Sequence, residues 1–544
     1  MAISLWPSAL DSHNRDAAET AIPSSPTPLL RLTLITFLAV LVHGYHLGVD
    51  DSEIYIPAIK RAVDPGLYPF GAEFFESHAH LSFFPDLVGG SARLTRLPID
   101  WVIFLWNFIG VFLLLLACWR LACACFESAH ARWSAVGVVA GVLSVPVAGT
   151  ALIMMDPYLT ARSLSTPATM FAIASCVSKK PRQAIVWLIV TALIHPQMGV
   201  YCVGFLGCLE LAARIKESAV KAQELELVSL SGLAYLFDFE PARGAAREAL
   251  FSRSYFFVTN WTWYEWIGVF APLALLWAFS SVSLRGTTSA FRSVSRMLVP
   301  FGLFFTAASL VLASSPRFEN LSRLQPMRSF HLLYLIFFLF LGGLLGEYML
   351  RRSVWRWISL FVPLATLMWL VQWQSFPHSA HVEWPGSDGN AWTAAFLWAR
   401  DNTPKDAVFA LDPNYMLDPE ADLHGFRAIA ERSALAENVK DSGVVSLFPQ
   451  LAGQWKRQVN AQNDLEDFQV ADFENLEKEY PVTWIAARQP RPVGLICPYE
   501  NREVAVCRID SESLQIAAVA ETKSTVAVRK TGAGPIAGTQ CANC

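Results

Sequence analysis

The chain has 544 residues, 53% of them hydrophobic and 16% charged, with a net charge of −4 and a mean hydropathy of +0.36. Soluble domains carry about 25% charged residues, so this is no ordinary soluble chain, and its weak net charge gives no footing for nucleic acid. The charge deficit falls before residue 374, in apolar runs that reach the roughly 20 residues a helix needs to cross about 30 Å of hydrocarbon.

Residues 1–28 are polar, with Pro23, Pro26 and Pro28, and read as a disordered cytoplasmic N-terminus. They lack the basic start and small-residue cleavage site of a secretory signal, so the first apolar run reads as a retained helix. Spans are expected at 29–47, 98–116 and 133–154, with a short one at 164–177. A hydrophilic loop, 48–97, follows the first span, and a polar hinge, 156–162, precedes the fourth. The apolar stretch 184–213 is broken at His195-Pro196. Proline removes a helix hydrogen bond and restrains the residue before it, so two short helices should meet at His195. Residues 225–237 are weakly apolar, and clear spans resume at 264–282, 297–313, 329–350 and 354–373.

Lys and Arg cluster at 120–132, 179–182, 214–221, 285–296 and 351–356, which assigns those loops to the cytoplasm. Alternation then requires 225–237 to cross, giving about eleven transmembrane helices within 29–374 and turning loop 48–97 and the C-terminal part outward. The outward loop 314–328 defies the rule with Arg317, Arg323 and Arg328. These could pair with Glu319 and lipid headgroups, or they could grip a phosphate through the planar guanidinium fork.

From residue 389 to 511 the text is soluble. Trp392, Ala395, Phe396 and Ala399 stand at helical spacing. Strands are expected at 407–411, 427–432 and 482–486, helices at 446–460 and 472–480, and a hairpin from 493–497 and 503–509. That alternation describes a small α/β domain. Residues 512–544 read as a disordered tail, its Cys541 and Cys544 lacking the second pair a zinc site needs. Six of the ten cysteines lie in or beside apolar runs as small hydrophobes, and no spacing demands a disulfide framework.

Chemistry concentrates where the first span ends: Asp50, Asp51 and Glu53 fall within four residues. Carboxylates near low dielectric have raised proton affinity, which suits a general base. The same oxygens could hold a hard divalent cation, magnesium or manganese, although no cofactor is demanded. A solvated helix start is the plainer alternative, with Asp51 or Ser52 as N-cap. Tyr55, Ala58, Ile59, Ala62 and Val63 share a helical face, which suggests a helix lying along the membrane surface from about Pro57. Glu73, Glu76, His78 and His80 make a weaker metal set. Arg162 could snorkel to headgroups or bind phosphate. His195 could be a buried kink residue or a functional one, and His331 could share a helix face with Arg328. Trp261, Trp263, Tyr264 and Trp266 suit an interfacial belt or the mouth of a lipid groove.

A membrane helix, the acidic pair Asp50-Asp51, a juxtamembrane helix and the turn Gly66-Leu67-Tyr68-Pro69 together resemble the first outer loop of the glycosyltransferase C superfamily. Residues 390–411, NAWTAAFLWARDNTPKDAVFAL, are similar to the start of the soluble domain in many such bacterial proteins. Residues 253–268, RSYFFVTNWTWYEWIG, resemble a bacterial membrane family with a soluble C-terminal domain. The resemblance implies an α-helical polytopic membrane protein of glycosyltransferase C type in the bacterial inner membrane, its α/β domain periplasmic. It implies transfer of a sugar from a lipid-linked polyprenyl-phosphate donor, with the family's acidic motif falling on Asp50 and Asp51, either of which could be the base; for such chemistry Glu53, Arg162, His195, Arg317, Arg328 and His331 are the candidates for binding the substrate. Beyond the lipid bilayer and that donor, no partner is indicated. The rivals are a lipid or solute transporter, which should carry internal repeats and deep charges, and a non-catalytic scaffold.

Overall fold

The computed structural model describes residues 26–218, 241–387, 389–492 and 494–509. The weak span at 225–237, most of the N-terminal segment and the tail with Cys541 and Cys544 lie outside the described residues. The chain is mostly helical. Its elements run α1 (Pro26–His43), α2 (Ser52–Val63), α3 (Glu73–Ala79), α4 (Phe84–Thr95), α5 (Ile99–Cys125), α6 (Ala129–Gly141), α7 (Ala161–Val177), α8 (Pro181–Ile194), α9 (Pro196–Ser218), α10 (Gly244–Phe251), α11 (Trp263–Ser281), α12 (Ser289–Ala313), α13 (Phe330–Leu345) and α14 (Val354–Ser375). The C-terminal part follows as α15 (Ala391–Asn402), β1 (Val408–Ala410), α16 (Phe426–Ala430), β2 (Ser433–Ala434), α17 (Asp441–Leu447), α18 (Ala452–Ala461), α19 (Val470–Glu479), β3 (Trp484–Arg488), β4 (Ile496–Glu500) and β5 (Val504–Arg508).

Among the described residues, five helical stretches are long and apolar enough to cross a membrane: Ile99–Cys125, Pro196–Arg214, Ser289–Ala313, Pro316–Leu350 and Val354–Ser375. Two shorter apolar helices, Pro28–His43 and Pro181–Ile194, accompany them. The break at His195 falls where proline chemistry puts it, between α8 and α9. Apolar residues surround α13 on every side, and it is correspondingly buried. It approaches α6 closely because glycines face it: a Cβ on Gly342 would meet Val138 at 2.7 Å, and one on Gly346 would meet Ser134 at 2.6 Å. By contrast, α14 shows Trp355, Val362, Leu367 and Trp369 outward, as a helix against lipid should.

Several expectations need correction. The first span stops at His43, not at 47, because Gly44 takes φ +76° and its N–H returns to the Val40 carbonyl. The span expected at 133–154 is only α6, ending at Gly141. Beyond it Pro146 pairs with Ile153 around a turn in which the Thr150 N–H bonds the Val147 carbonyl. Proline cannot continue the helix ladder there. The helix expected at 446–460 splits into α17 and α18 at Pro449. The strand expected at 427–432 is helix α16, ended by Glu431 at φ +54°. Pro57 lies inside α2 and does not begin it.

The C-terminal sheet has the order β2-β1-β3-β5-β4. β1 pairs in parallel with β2 and β3, while β3, β5 and β4 are antiparallel. Alternation along the strands divides its side chains. Phe409, Val504 and Val506 face α15 and α16, and the same apolar cluster continues into Tyr55, Ile56 and Ile59 of α2 and Phe84 of α4. Ile485, Ala505 and Cys507 face Phe473 and Leu476 of α19. So α2 does not lie on a lipid surface; it is sandwiched between α4 and the C-terminal domain. Across the hairpin, Cys497 and Cys507 form a disulfide, which spacing alone had not required.

A buried contact joins the domain to the exit of α1. Tyr45 bridges to Val382 and Val49 to His424. On the linker, Glu383 accepts from His424 Nε2 at 3.0 Å and lies 3.5 Å from His46 Nδ1. His424 Nδ1 faces the Ala421 carbonyl at 2.9 Å, so only the imidazolium satisfies both ring nitrogens. Burial opposes charge on both groups, but each holds the other ionised. The Glu383 carboxyl falls to about 2 from an ordinary 4.5, and His424 rises above 6.5, with Asp422 adding to the effect. The carboxylate's contribution is complete above pH 4.5 and lost as pH falls towards 2; that of His424 is complete below pH 6.5 and lost as pH rises through its raised value. Thermal melting in detergent should therefore be highest near pH 4.5–6.5, and Glu383→Gln should lower it most in that window. Parallel pH curves for wild type and variant would refute this latch.

Candidate functional site

Between α1 and α2 the chain winds through turns against the C-terminal domain. The Asp50 N–H donates to the Leu423 carbonyl, and Asp50 itself adopts φ +54°. This turn presents both aspartates at one end of the bundle. Asp51 occupies the N-cap position of α2, but its carboxylate caps nothing. It accepts instead from Arg162 Nη2 at 3.1 Å, which also donates to Asp156 at 2.8 Å. Arg162 is fixed by its place in the first turn of α7, where Thr160 and Ser163 form a capping box. Thr160 also donates to Asp156, at 3.2 Å. The Tyr158 hydroxyl donates to Asp50 at 2.9 Å. Lys440, from the C-terminal domain, completes the cluster: its ammonium touches Asp50 and lies 3.2 Å from Asp51.

These contacts reverse one expectation. Burial raises the proton affinity of Asp51, but Arg162, aided by Arg328 and Arg253, outweighs it and holds the carboxyl below its usual value. For Asp156 burial prevails and the carboxyl is raised despite Arg162. Burial also keeps His78, 3.1 Å from the Tyr55 hydroxyl, neutral by pushing it down to about 4.

The cluster opens into a cavity of about 1210 Å³, somewhat larger than the roughly 300–1,000 Å³ of small-molecule and cofactor sites. Its polar end is lined by five basic side chains, Arg162, Arg253, Arg323, Arg328 and Lys440, against three carboxylates, Asp50, Asp51 and Asp156. Arg328 has no carboxylate partner among the described residues; its Nε is buried without a hydrogen bond, and its guanidinium lies 5.8 Å from the Tyr255 ring centre. The other end is apolar, walled by Val200 of α9, by Phe305, Ala308 and Val311 of α12, and by Val371 of α14. Val200, Val311 and Val371 are well exposed. The cavity thus joins charged side chains to an exposed apolar wall.

Asp50, Asp51, Arg162, His195 and Arg328 all line this cavity, though they come from segments far apart in the chain. His195 keeps a buried Nδ1 without a partner. Glu53, Arg317 and His331 do not line it. Glu53 is 1% exposed and bound to Arg427 at 2.8 Å. In a helix each residue turns about 100°, so a side chain two positions past Asp51 faces away. Arg317 is exposed on the loop, whose Glu319 pairs with Arg247 at 3.2 Å. His331 is buried against the Met154 carbonyl at 2.9 Å. The aromatic groove is likewise displaced: Tyr255 and Phe256 line the cavity, while Trp261, Trp263, Tyr264 and Trp266 do not. No group of three His, Cys, Asp or Glu among the described residues is placed to hold a metal, and basic groups occupy the two aspartates. Sequence reasoning missed Lys440, Arg253, Asp156 and Tyr158. The last pair lay in the hinge it had marked, and Arg253 opened a segment it had quoted.

Together these features describe a helical membrane protein with an amphipathic cavity whose charged end is closed by its C-terminal domain. Compared with known proteins, the chain matches no family model and no curated protein sequence.

Proposed function

We propose that the chain is a membrane glycosyltransferase of the glycosyltransferase C type, with about eleven spans and an extracytoplasmic α/β domain. It would transfer a sugar from a polyprenyl-phosphate donor to an acceptor hydroxyl at the outer face of a bacterial inner membrane. One observation carries the reading: a single cavity joins paired aspartates and five basic side chains to an exposed apolar wall formed by α9, α12 and α14. The isoprenoid tail suits the wall of α9, α12 and α14, and the phosphate suits Arg328, Arg253 and Arg162. The cross-strand disulfide fits an oxidising compartment. Asp50 is the better base, because its donors are a neutral tyrosine and Lys440, whereas Asp51 is engaged by a guanidinium. The acceptor oxygen bonds to the anomeric carbon, its proton passes to Asp50, and the carbon–phosphate oxygen bond breaks with inversion. The polyprenyl phosphate leaves with both electrons of that bond, its new charge met by the arginines.

Purified protein should transfer label from radiolabelled polyprenyl-phosphate sugars. Asp50→Asn should slow turnover about a hundredfold, the usual scale of general-base loss, and more than Asp51→Asn does. No turnover by the wild type with any donor would sink the reading and favour transport or scaffolding. Equal turnover in both variants would remove the aspartates from the chemistry.

A further inference from the structure

Lys440 reaches the acidic pair from almost 390 residues away, and its position is tightly determined. The loop before α17 is pinned by Glu437, whose carboxylate accepts from the N–H groups of Lys440 and Asp441 at 2.6 Å each. Asp441 accepts from Arg427 Nη2 at 2.7 Å, and Arg427 donates to Glu53 at 2.8 Å. Glu53 stands two residues after Asp51. Backbone hydrogen bonds to Glu437 and the buried ion pairs of Arg427 with Asp441 and Glu53 together register Lys440 against the aspartates it touches. Arg253 ties the same loop to the cavity, donating to Ser442 at 3.0 Å and to the Val439 carbonyl. Lys440 lines the cavity beside Gly443, Val444 and Leu447, yet its side chain is only 11% exposed.

From this geometry we propose that Lys440 is a positioning residue of the site, holding Asp50 and Asp51 side by side and ionised, so that the C-terminal domain is part of the active site. The proposal deepens the transfer reading and rests on it for the chemistry. Two carboxylates in one pocket repel; Asp51 keeps Arg162 as a partner, whereas the other donor to Asp50 is the neutral Tyr158 hydroxyl, so without Lys440 it is Asp50 that takes up a proton. A protonated aspartate cannot accept the acceptor's proton. Burial pushes the Lys440 ammonium down to about 7, and contact with both carboxylates opposes that. The other charged groups facing the pair are Arg162, Arg253, Arg328 and Asp156.

The test uses full-length protein in detergent and dicyclohexylcarbodiimide, an apolar reagent that adds to protonated carboxyl groups, with mass spectrometry of the peptide holding Asp50 and Asp51. Wild-type protein should resist labelling at pH 7. Lys440→Met and Lys440→Gln should label at least about tenfold faster, the change in protonated fraction that one pKa unit brings. Lys440→Arg should stay protected. In the turnover assay the neutral variants should shift the acid limb of kcat/KM upward by about one pH unit, and Lys440→Arg should restore it. Equal labelling of wild type and both neutral variants overturns the proposal. So does ready labelling of wild type at pH 7, a result that needs no variant to fold. If the wild type transfers no sugar but the labelling pattern holds, the transfer reading falls and the role of Lys440 stands.

Discussion

Replacing Arg427 with methionine should destabilise the protein by about 3–5 kcal/mol, the cost of removing one partner from a buried ion pair. Arg427 is 2% exposed and bonds Glu53 at 2.8 Å and Asp441 at 2.7 Å. The backbone N–H groups of Arg427 and Ala428 also donate to Glu53, at 3.0 and 2.9 Å. Methionine fills the volume but leaves two carboxylates, with Glu437 close by, in an interior that no longer offsets their charge. Burial already raises the Glu437 carboxyl to about 8. The loss should appear as a lower melting temperature in detergent and as easier proteolysis of the C-terminal domain. Glu53→Gln should cost less, since the amide still accepts and Arg427 retains Asp441. An Arg427→Met protein within about 0.5 kcal/mol of wild type, the range of ordinary surface changes, would show that this network does not hold the domain down.

Arg328→Met should do the opposite. Among the described residues Arg328 has no carboxylate partner to leave behind, so melting should barely move. If its guanidinium meets the departing phosphate, kcat should fall about 10²–10³-fold, the scale for losing one preorganised charge at a transition state. Arg328→Lys should recover part of that, because a point charge replaces the fork imperfectly. The two arginines make a matched pair of tests, one paired and structural, the other unpaired and facing the cavity. Unchanged turnover in Arg328→Met would take this residue out of the mechanism.

Much of the helical framework was legible because hydropathy and proline are local signals. The ends of α8 and α9 at His195-Pro196, the helices α11, α14 and α15 and the terminal hairpin all follow from short-range chemistry. The site was legible only in part. Asp50, Asp51 and Arg162 announced themselves by charge at the ends of apolar runs. Lys440 did not, since it lies in ordinary soluble sequence and acquires meaning only from a partner near residue 50. Glu53 was misplaced by counting along the chain where helix geometry turns it away. The stretch after Gly141 was apolar enough to pass for a span, yet Pro146 and the turn at 147–150 fold it into the cavity wall. Residues 427–432 looked like a strand by composition, but Arg427 is ordered as helix by its ionic partners.

The burial of α2 beneath a domain 374 residues further on has a consequence for how the molecule is made. At synthesis rates of roughly 5–20 residues per second, about 20–75 s separate the emergence of Glu53 from that of Arg427. Through that interval the aspartates and the apolar face of α2 wait without their cover. A chain cut short before residue 440 keeps the five long apolar stretches found among the described residues and still lacks the ammonium that touches Asp50. If Lys440 positions the acidic pair as proposed, a nascent chain that has not yet reached it should lack the finished site.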